Sequence, residues 1–440
     1  MKFYNRTKEL TELQKIHTQS QNVAKMIVLT GRRRIGKTLL SLKFCHDHKF
    51  LYLFVSKKSE PLLCIEYLEE IKKEFDVPII GEIRTFKDIF ALLQEISRNN
   101  HFTLIIDEFQ EFHSINLAVF SEIQHLWDLN KEKCKLNLIL IGSVYSLMYK
   151  IFQDVKEPLF GRADRLIYIN PFSIKTIKEI LNDHGINNLK TIFDYYIFTG
   201  GIPKYIDILT TNSALSYEQI LDFILEANSP FINEGKNLLI EEFGKEYGIY
   251  FSILELISLG KTGRSEIESI LEKNVGGYLD RLETNYSIIA RHKPINAKPN
   301  SRLQKYKIAD NFLNFWFRFI YRNRSAIETE NFNYIKEIIN RDYSQYCGRL
   351  LEKFFHELFA STGKYNKIGS YWEKGNQNEI DLVALNDMKK EILIAEIKSK
   401  KERIDINLLK QKSAGLLATY PSYTPTWLSL SLDDARGYLS

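Results

Sequence analysis

The chain has 440 residues, with 60 lysines and arginines against 55 aspartates and glutamates, a net charge of +5, and 44% hydrophobic and 26% charged residues. That is the composition of a globular protein, too long for one ordinary core and enough for about two to four domains. So mild a charge permits nucleic-acid binding without arguing for it, and any such claim must come from a local patch. Cys45, Cys64, Cys134 and Cys347 lie far apart, with no C-x-x-C pair and no histidines at ligand spacing. This argues against a zinc site and fits a reducing cytoplasm. The opening residues MKFYNRTKEL lack an apolar export segment, and no run long enough to span a bilayer follows. The expectation is a cytoplasmic protein without a membrane span.

In chain order, Leu10, Leu13 and Ile16 mark one face of a first helix. Met26 to Leu29 then form an apolar strand that ends at Gly31, and Gly36-Lys37-Thr38 opens a helix with leucine spacing. G-R-R-R-I-G-K-T is the phosphate-binding loop G-x-x-x-x-G-K-[ST] in its strand–loop–helix setting. Gly31 and Gly36 let the backbone curl so that N–H groups and the helix N-terminus hold phosphates. Lys37 is expected to reach the β- and γ-phosphates of ATP, and Thr38 to ligate Mg²⁺. Arg32, Arg33 and Arg34 then point outward. A buried strand, Phe50 to Val55, and helices near 61–75 and 85–99 follow. The next apolar run, from His101, ends in Asp107-Glu108. A parallel strand delivers such carboxylates to the ligand crevice. Asp107 is expected in the Mg²⁺ shell, with Glu108 orienting and deprotonating the attacking water.

With Phe3 to Leu10 reading F-x-x-R-x-x-E-L, these motifs resemble the archaeal-type ATPase family, P-loop ATPases of the AAA-like, STAND-related kind. The resemblance implies that Arg6 lies against the nucleotide base. After strand 136–141, it makes Ser143 a γ-phosphate sensor, with a plain strand-ending turn as the other reading. Glu157 to Arg165 resembles the family's P-L-x-G-R stretch, which makes Arg162 either a γ-phosphate contact, in cis or from a neighbouring subunit, or a surface arginine. Gly200-Gly201-Ile202-Pro203 resembles the G-x-P signature of a helical lid, which should end near Phe231.

Residues 250–290 read as three helices, and 287–290 with 306–308 as the strands of a wing, a winged-helix arrangement. The third helix offers only Arg281, whereas the wing carries Arg291, His292, Lys293, Lys298, Arg302, Lys305 and Lys307. The wing therefore suits duplex DNA phosphates, with protein docking as the alternative. Asp310 to Phe319 matches the family's D-x-F-x-x-F-W-x-R-F tract, and its aromatic spacing is that of core packing.

Near the C-terminus, Glu352 lies on a helix (349–359), and two strands, 379–385 and 391–398, flank a polar turn. A symmetrical hairpin sets Asp381 opposite Glu396 and Glu379 opposite Lys398, where side chains stand about 4.5–5.5 Å apart at Cβ. Two carboxylates so placed call for a cation, and Mg²⁺ is the first choice. The pattern resembles the PD-(D/E)XK nuclease superfamily. This implies that Glu352, Asp381 and Glu396 bind metal, that Lys398 activates water, and that Gln411 is the helix glutamine. Asp381 follows Ile380 rather than proline, and two other readings stand: a charged hairpin face, or a nuclease fold that only binds a partner.

The expected fold class is α/β, with a P-loop parallel sheet (1–172), a helical lid (173–231), a winged helix (232–325) and a restriction-endonuclease-like α/β domain (326–440). The expected function is Mg²⁺-dependent ATP hydrolysis controlling a DNA-directed, nucleolytic C-terminal effector. The rival is a regulatory ATPase switch that binds protein or DNA, turns ATP over slowly and cuts nothing; the expected partner is duplex DNA, with a protein partner or a homo-oligomer as the further expectation.

Overall fold

The computed structural model describes residues 2–76 and 81–439. Its chain divides into two compact units, Phe3–Pro171 and Phe172–Ser440, the latter together with Lys2.

The first unit is built on five parallel strands, β1 (Lys25–Thr30), β2 (Phe50–Phe54), β3 (Phe102–Asp107), β4 (Leu136–Gly142) and β5 (Arg165–Tyr168), in the order β2-β3-β4-β1-β5. Every residue of β3 and β4 is buried. Their unbroken apolar runs are those of strands covered on both faces. Met26, Val28, Leu104, Ile106, Leu138 and Leu140 point into one large core with helices Glu60–Glu74, Phe86–Asn99 and Ala118–Asn130. Helices Thr7–Ser20 and Lys37–Cys45 pack on β1, β3 and β4. The second long helix is a clean example of sequence setting local structure: the Thr85 hydroxyl accepts from the Asp88 amide as its N-cap, and Phe86, Ile89, Phe90 and Leu93 form the buried stripe. The loops after β1, β3 and β4 leave one edge of the sheet, where ligands of such sheets bind.

Near the start of β3, the ring of His17 lies against those of His48 (centroids 4.1 Å apart) and His101 (4.5 Å), tilted to both. Burial, and then the neighbouring histidines, push the His17 imidazole down to about 4. A histidine that resists protonation in the fold binds fewer protons than in the unfolded chain, so its stabilising effect is full above about pH 6.5 and is lost as the pH falls towards 4. The Tm is expected to fall across that window by an amount worth up to about 3 kcal/mol. His17→Asn should flatten the slope, and an unchanged slope in a pH series of melts would contradict this.

In the second unit, helices fill residues 174–243. Gly201 (φ +75°) accepts from the Phe172 amide at 2.7 Å, and a Cβ there would sit 2.4 Å from the Phe172 carbonyl oxygen, so the close approach requires glycine. Helices Tyr247–Ser258, Arg264–Leu271 and Gly276–Thr284 precede an antiparallel hairpin, β6 (Ile289–His292) and β7 (Lys305–Ile308). The aromatic tract 312–320 is core: Phe312, Phe315, Trp316, Phe317 and Phe319 are all buried, and the Trp316 indole donates to the Ile232 carbonyl. The last sheet runs β11-β10-β9-β8, from β8 (Lys367–Tyr371), β9 (Ile380–Asn386), β10 (Glu391–Ile397) and β11 (Thr424–Leu430). The long helix Phe332–Ser361 packs against it. No helix among the described residues is long and apolar enough to cross a membrane.

Candidate functional site

The phosphate-binding loop leaves β1 with Gly31 at φ +146°, Arg34 at +65° and Gly36 at +89°, before the helix begins at Lys37. Lys37 Nζ donates to the carbonyls of Gly31 (2.9 Å) and Arg32 (3.0 Å), which holds the ammonium across the loop. Thr38 donates to Asp107 Oδ2 at 2.6 Å, and Tyr52 donates to the same oxygen at 2.9 Å. Burial, with help from Asp107, pushes the Tyr52 phenol up, so it remains a donor. Glu108 stands at φ +53°, a left-handed conformation that costs about 1–3 kcal/mol for a residue with a Cβ. Its Oε2 is held by Ser143 (2.7 Å) and Gln110 (2.5 Å), which aim the carboxylate along the sheet edge. Arg6 is buried, and its guanidinium donates to the Ile35 carbonyl in the loop (3.4 Å) and to Glu9 (3.3 Å).

Gly31, Gly36, Lys37, Thr38, Asp107, Glu108, Ser143 and Arg6 are thus brought to one edge. Two expectations need correction. Arg33 does not simply point outward, since its Nε reaches the Ser143 hydroxyl at 3.4 Å. Arg162 is not at its own chain's phosphate loop: it forms a two-pronged pair with Asp128, and Asp164 just beyond binds the Met26 amide at the opposite end of β1 from Gly31. The short link from 162 to 164 fixes Arg162 at the wrong end of the strand for a contact in cis. Tyr52 and Gln110 were missed. A tyrosine breaking an apolar strand and a glutamine two residues past the carboxylate pair were the available signals.

Gly31→Ala is expected to abolish nucleotide binding, because its Cβ would meet the Ile169 carbonyl oxygen at 2.7 Å in a backbone conformation unsuited to alanine. Titration with a fluorescent ATP analogue reads this, and wild-type affinity would contradict it.

In the C-terminal sheet, β9 and β10 pair in the expected register, from Asn386 with Glu391 to Leu382 with Ala395. Beyond that the ladder opens, and a bulge between β8 and β9 turns the chain near Asp381. Asp381 Oδ2 accepts from the Ile397 amide (2.8 Å) and from Lys398 (3.2 Å), and Lys398 also reaches Glu396 (3.0 Å). One ammonium therefore joins both carboxylates. Burial works against charge on Lys398, but Asp381 and Glu396 outweigh it and push its pKa up. Burial, then Glu396, raises Asp381, and burial, then Asp381, pushes Glu352 up to about 7. Glu396 Oε2 is buried and has no hydrogen-bond partner among the described residues, which leaves one lone-pair face for a cation. No cluster of three or more His, Cys, Asp or Glu among the described residues is arranged to hold a metal. Gln411 is exposed, and the helix side chain at the site is its neighbour Lys412, 3.5 Å from Glu396. Glu379 does not face Lys398; it pairs with Lys305 of the β6–β7 hairpin at 2.8 Å.

The parallel sheet, phosphate loop and strand-end carboxylates define a P-loop ATPase. Residues 3–209 match the model of an ATPase domain predominantly from Archaea, and residues 316–414 match that of archaeal bacterial proteins of unknown function. An uncharacterized protein of Methanocaldococcus jannaschii is 31% identical over 408 residues, 90% of this chain and 88% of the relative. The chain belongs to the family of that protein and carries the archaeal ATPase domain. Among solved structures, the Walker-type ATPase of Pyrococcus abyssi is similar with a TM-score of 0.54 at 17% identity, covering 72% of this chain and 96% of that one. At that identity the likeness bears on the fold alone.

Proposed function

We propose that this ATPase is Mg²⁺-dependent and that its nucleotide state controls a C-terminal domain that hydrolyses phosphodiester bonds in DNA. Thr38 and Asp107 suit the magnesium, which neutralises the β- and γ-phosphates when bound. Lys37 binds the phosphates, Glu108 takes a proton from water, and Ser143 and Gln110 keep Glu108 aimed. Arg162 serves only a neighbouring subunit in this reading, across a homo-oligomer contact.

The observation that carries the hydrolytic reading is the convergence of Asp381 and Glu396 on Lys398 where β9 and β10 part. Magnesium commonly takes one or two carboxylates and otherwise water, a demand that Asp381 with Glu396 or Glu352 can meet. A divalent cation there would polarise the phosphoryl oxygen. Lys398, held as an ammonium, orients the water that attacks phosphorus; as the new P–O bond forms the water gives up a proton to solvent, the ester P–O bond breaks, and the leaving alkoxide takes a proton back from solvent. The three helices and hairpin before this sheet act as a winged helix that brings DNA to it.

One observation favours the rival, a switch that cuts nothing: the ammonium of Lys398 already bridges the carboxylate pair where a metal ion would sit and offsets one of its two charges. Incubating the purified protein with end-labelled DNA and Mn²⁺ separates the two. Cleavage supports the hydrolytic reading; intact DNA leaves the switch.

A further inference from the structure

The two faces of the β6–β7 hairpin do different work. His292 is paired with Lys305 and Arg291 with Tyr306, so alternation puts His292, Lys305 and Lys307 on one face and Arg291 on the other. Arg291 lies over the Tyr306 ring and pairs with Asp280 and Glu283 of the preceding helix, which seats that face on the three-helix body. The lysine face turns to the C-terminal sheet. Lys305 Nζ lies 2.8 Å from Glu379 and 4.6 Å from the centre of the buried Trp372 ring, and Lys307 lies 3.9 Å from Glu352. Between them is a cavity of about 230 Å³ that also reaches Asp381. The loop after β6 fastens the hairpin in place: the Ile295 amide donates to the Ser370 carbonyl at 2.9 Å, and its side chain is buried with Tyr371, Ile380 and Val383.

We propose that the hairpin and the C-terminal sheet form one composite cleft for a nucleic-acid strand, in which Lys305 and Lys307 take the phosphates flanking the one presented to Asp381, Glu396 and Lys398. This rests on the hydrolytic reading for the role of the last three residues, but not for the binding. Three observations lead to it. The lysines stand on the cavity side of the hairpin and not on its outer tip. Their carboxylate partners are weak, partly solvated ion pairs, which phosphate oxygens displace readily. Lys305 is also braced by Trp372, so its charge stays in the cleft when Glu379 lets go. The ligand is a phosphodiester backbone, held by charge, because the cations lining the cavity, Lys293, Lys305 and Lys307 beside Arg291, suit phosphate oxygens.

The test uses the full chain and a short fluorescein-labelled single strand, followed by anisotropy over a salt series without divalent metal. Lys305→Ala with Lys307→Ala should weaken binding about tenfold or more and lower the salt slope by about 0.7 per lysine, the value for a single strand. Lys305→Arg with Lys307→Arg should restore binding, which separates lost charge from lost fold. Equal affinity in wild type and the double alanine variant, loss of binding instead in Lys298→Ala with Arg302→Ala at the hairpin tip, or no binding by wild type would each overturn the proposal. Lysine-dependent binding without cleavage in Mn²⁺ supports the composite cleft and removes only the hydrolytic reading. Cleavage by the double alanine variant with unchanged KM overturns the cleft and leaves that reading standing.

Discussion

Lys37→Ala is expected to abolish stable ATP binding, while Glu108→Gln leaves ATP bound and unhydrolysed. The difference follows from their positions. Lys37 lies across the phosphate loop, tied to the Gly31 and Arg32 carbonyls, and its proposed role is to meet the triphosphate. Glu108 is held off the end of β3 by Ser143 and Gln110, and its proposed role is to activate water there. A glutamine keeps those contacts' shape and loses the base, so turnover should fall by about 10²-fold or more with little change in affinity. Filter binding and phosphate release on one preparation measure both. Equal ATP affinity in wild type and Lys37→Ala, or wild-type turnover in Glu108→Gln, would overturn these assignments.

Asp381→Ala is expected to abolish DNA cleavage and Mn²⁺ binding while ATP hydrolysis persists, since the two sites lie in separate compact units. Asp381 is the residue on which the Ile397 amide and Lys398 converge, so its removal frees the ammonium and ends the alignment with Glu396. Lys398→Ala should keep the metal and lose the chemistry, because the carboxylates then lose the ammonium that bridges them, with Lys412 left on Glu396 alone, and bind an external cation more readily. Metal titration and a gel assay on each variant read this. Mn²⁺ binding that is indifferent to Asp381 would end the metal-dependent reading.

Much of the first unit was legible because its motif fixes residue types at set intervals on a strand, a loop and a helix. Asp107 then had only one place to go, the end of a neighbouring parallel strand, and it stands 2.6 Å from Thr38. The β9–β10 register was legible for a similar reason, a short polar turn between matched apolar strands. What escaped depends on contacts remote in sequence. Lys305 and Glu379 are far apart along the chain, and no local pattern says that one finds the other. Strands β8 and β11 were not anticipated: β8 is short, with a glycine and a bulge, and β11 carries Pro425 and half-exposed residues, so neither shows a buried run. Gln411 and Lys412 show the limit of helix phase, where one residue is a turn of about 100° and decides which side chain meets Glu396. Arg162 was misplaced for its own chain because a motif gives order along the sequence but not which end of a strand the segment returns to.

The central claim is that bound ATP governs the C-terminal site. It is tested most directly by the rate at which end-labelled DNA is cut, in Mn²⁺, by Glu108→Gln protein with ATP bound and by the same protein free of nucleotide. A several-fold difference between the two rates is the predicted result; equal rates, or no cleavage in either state, would contradict it.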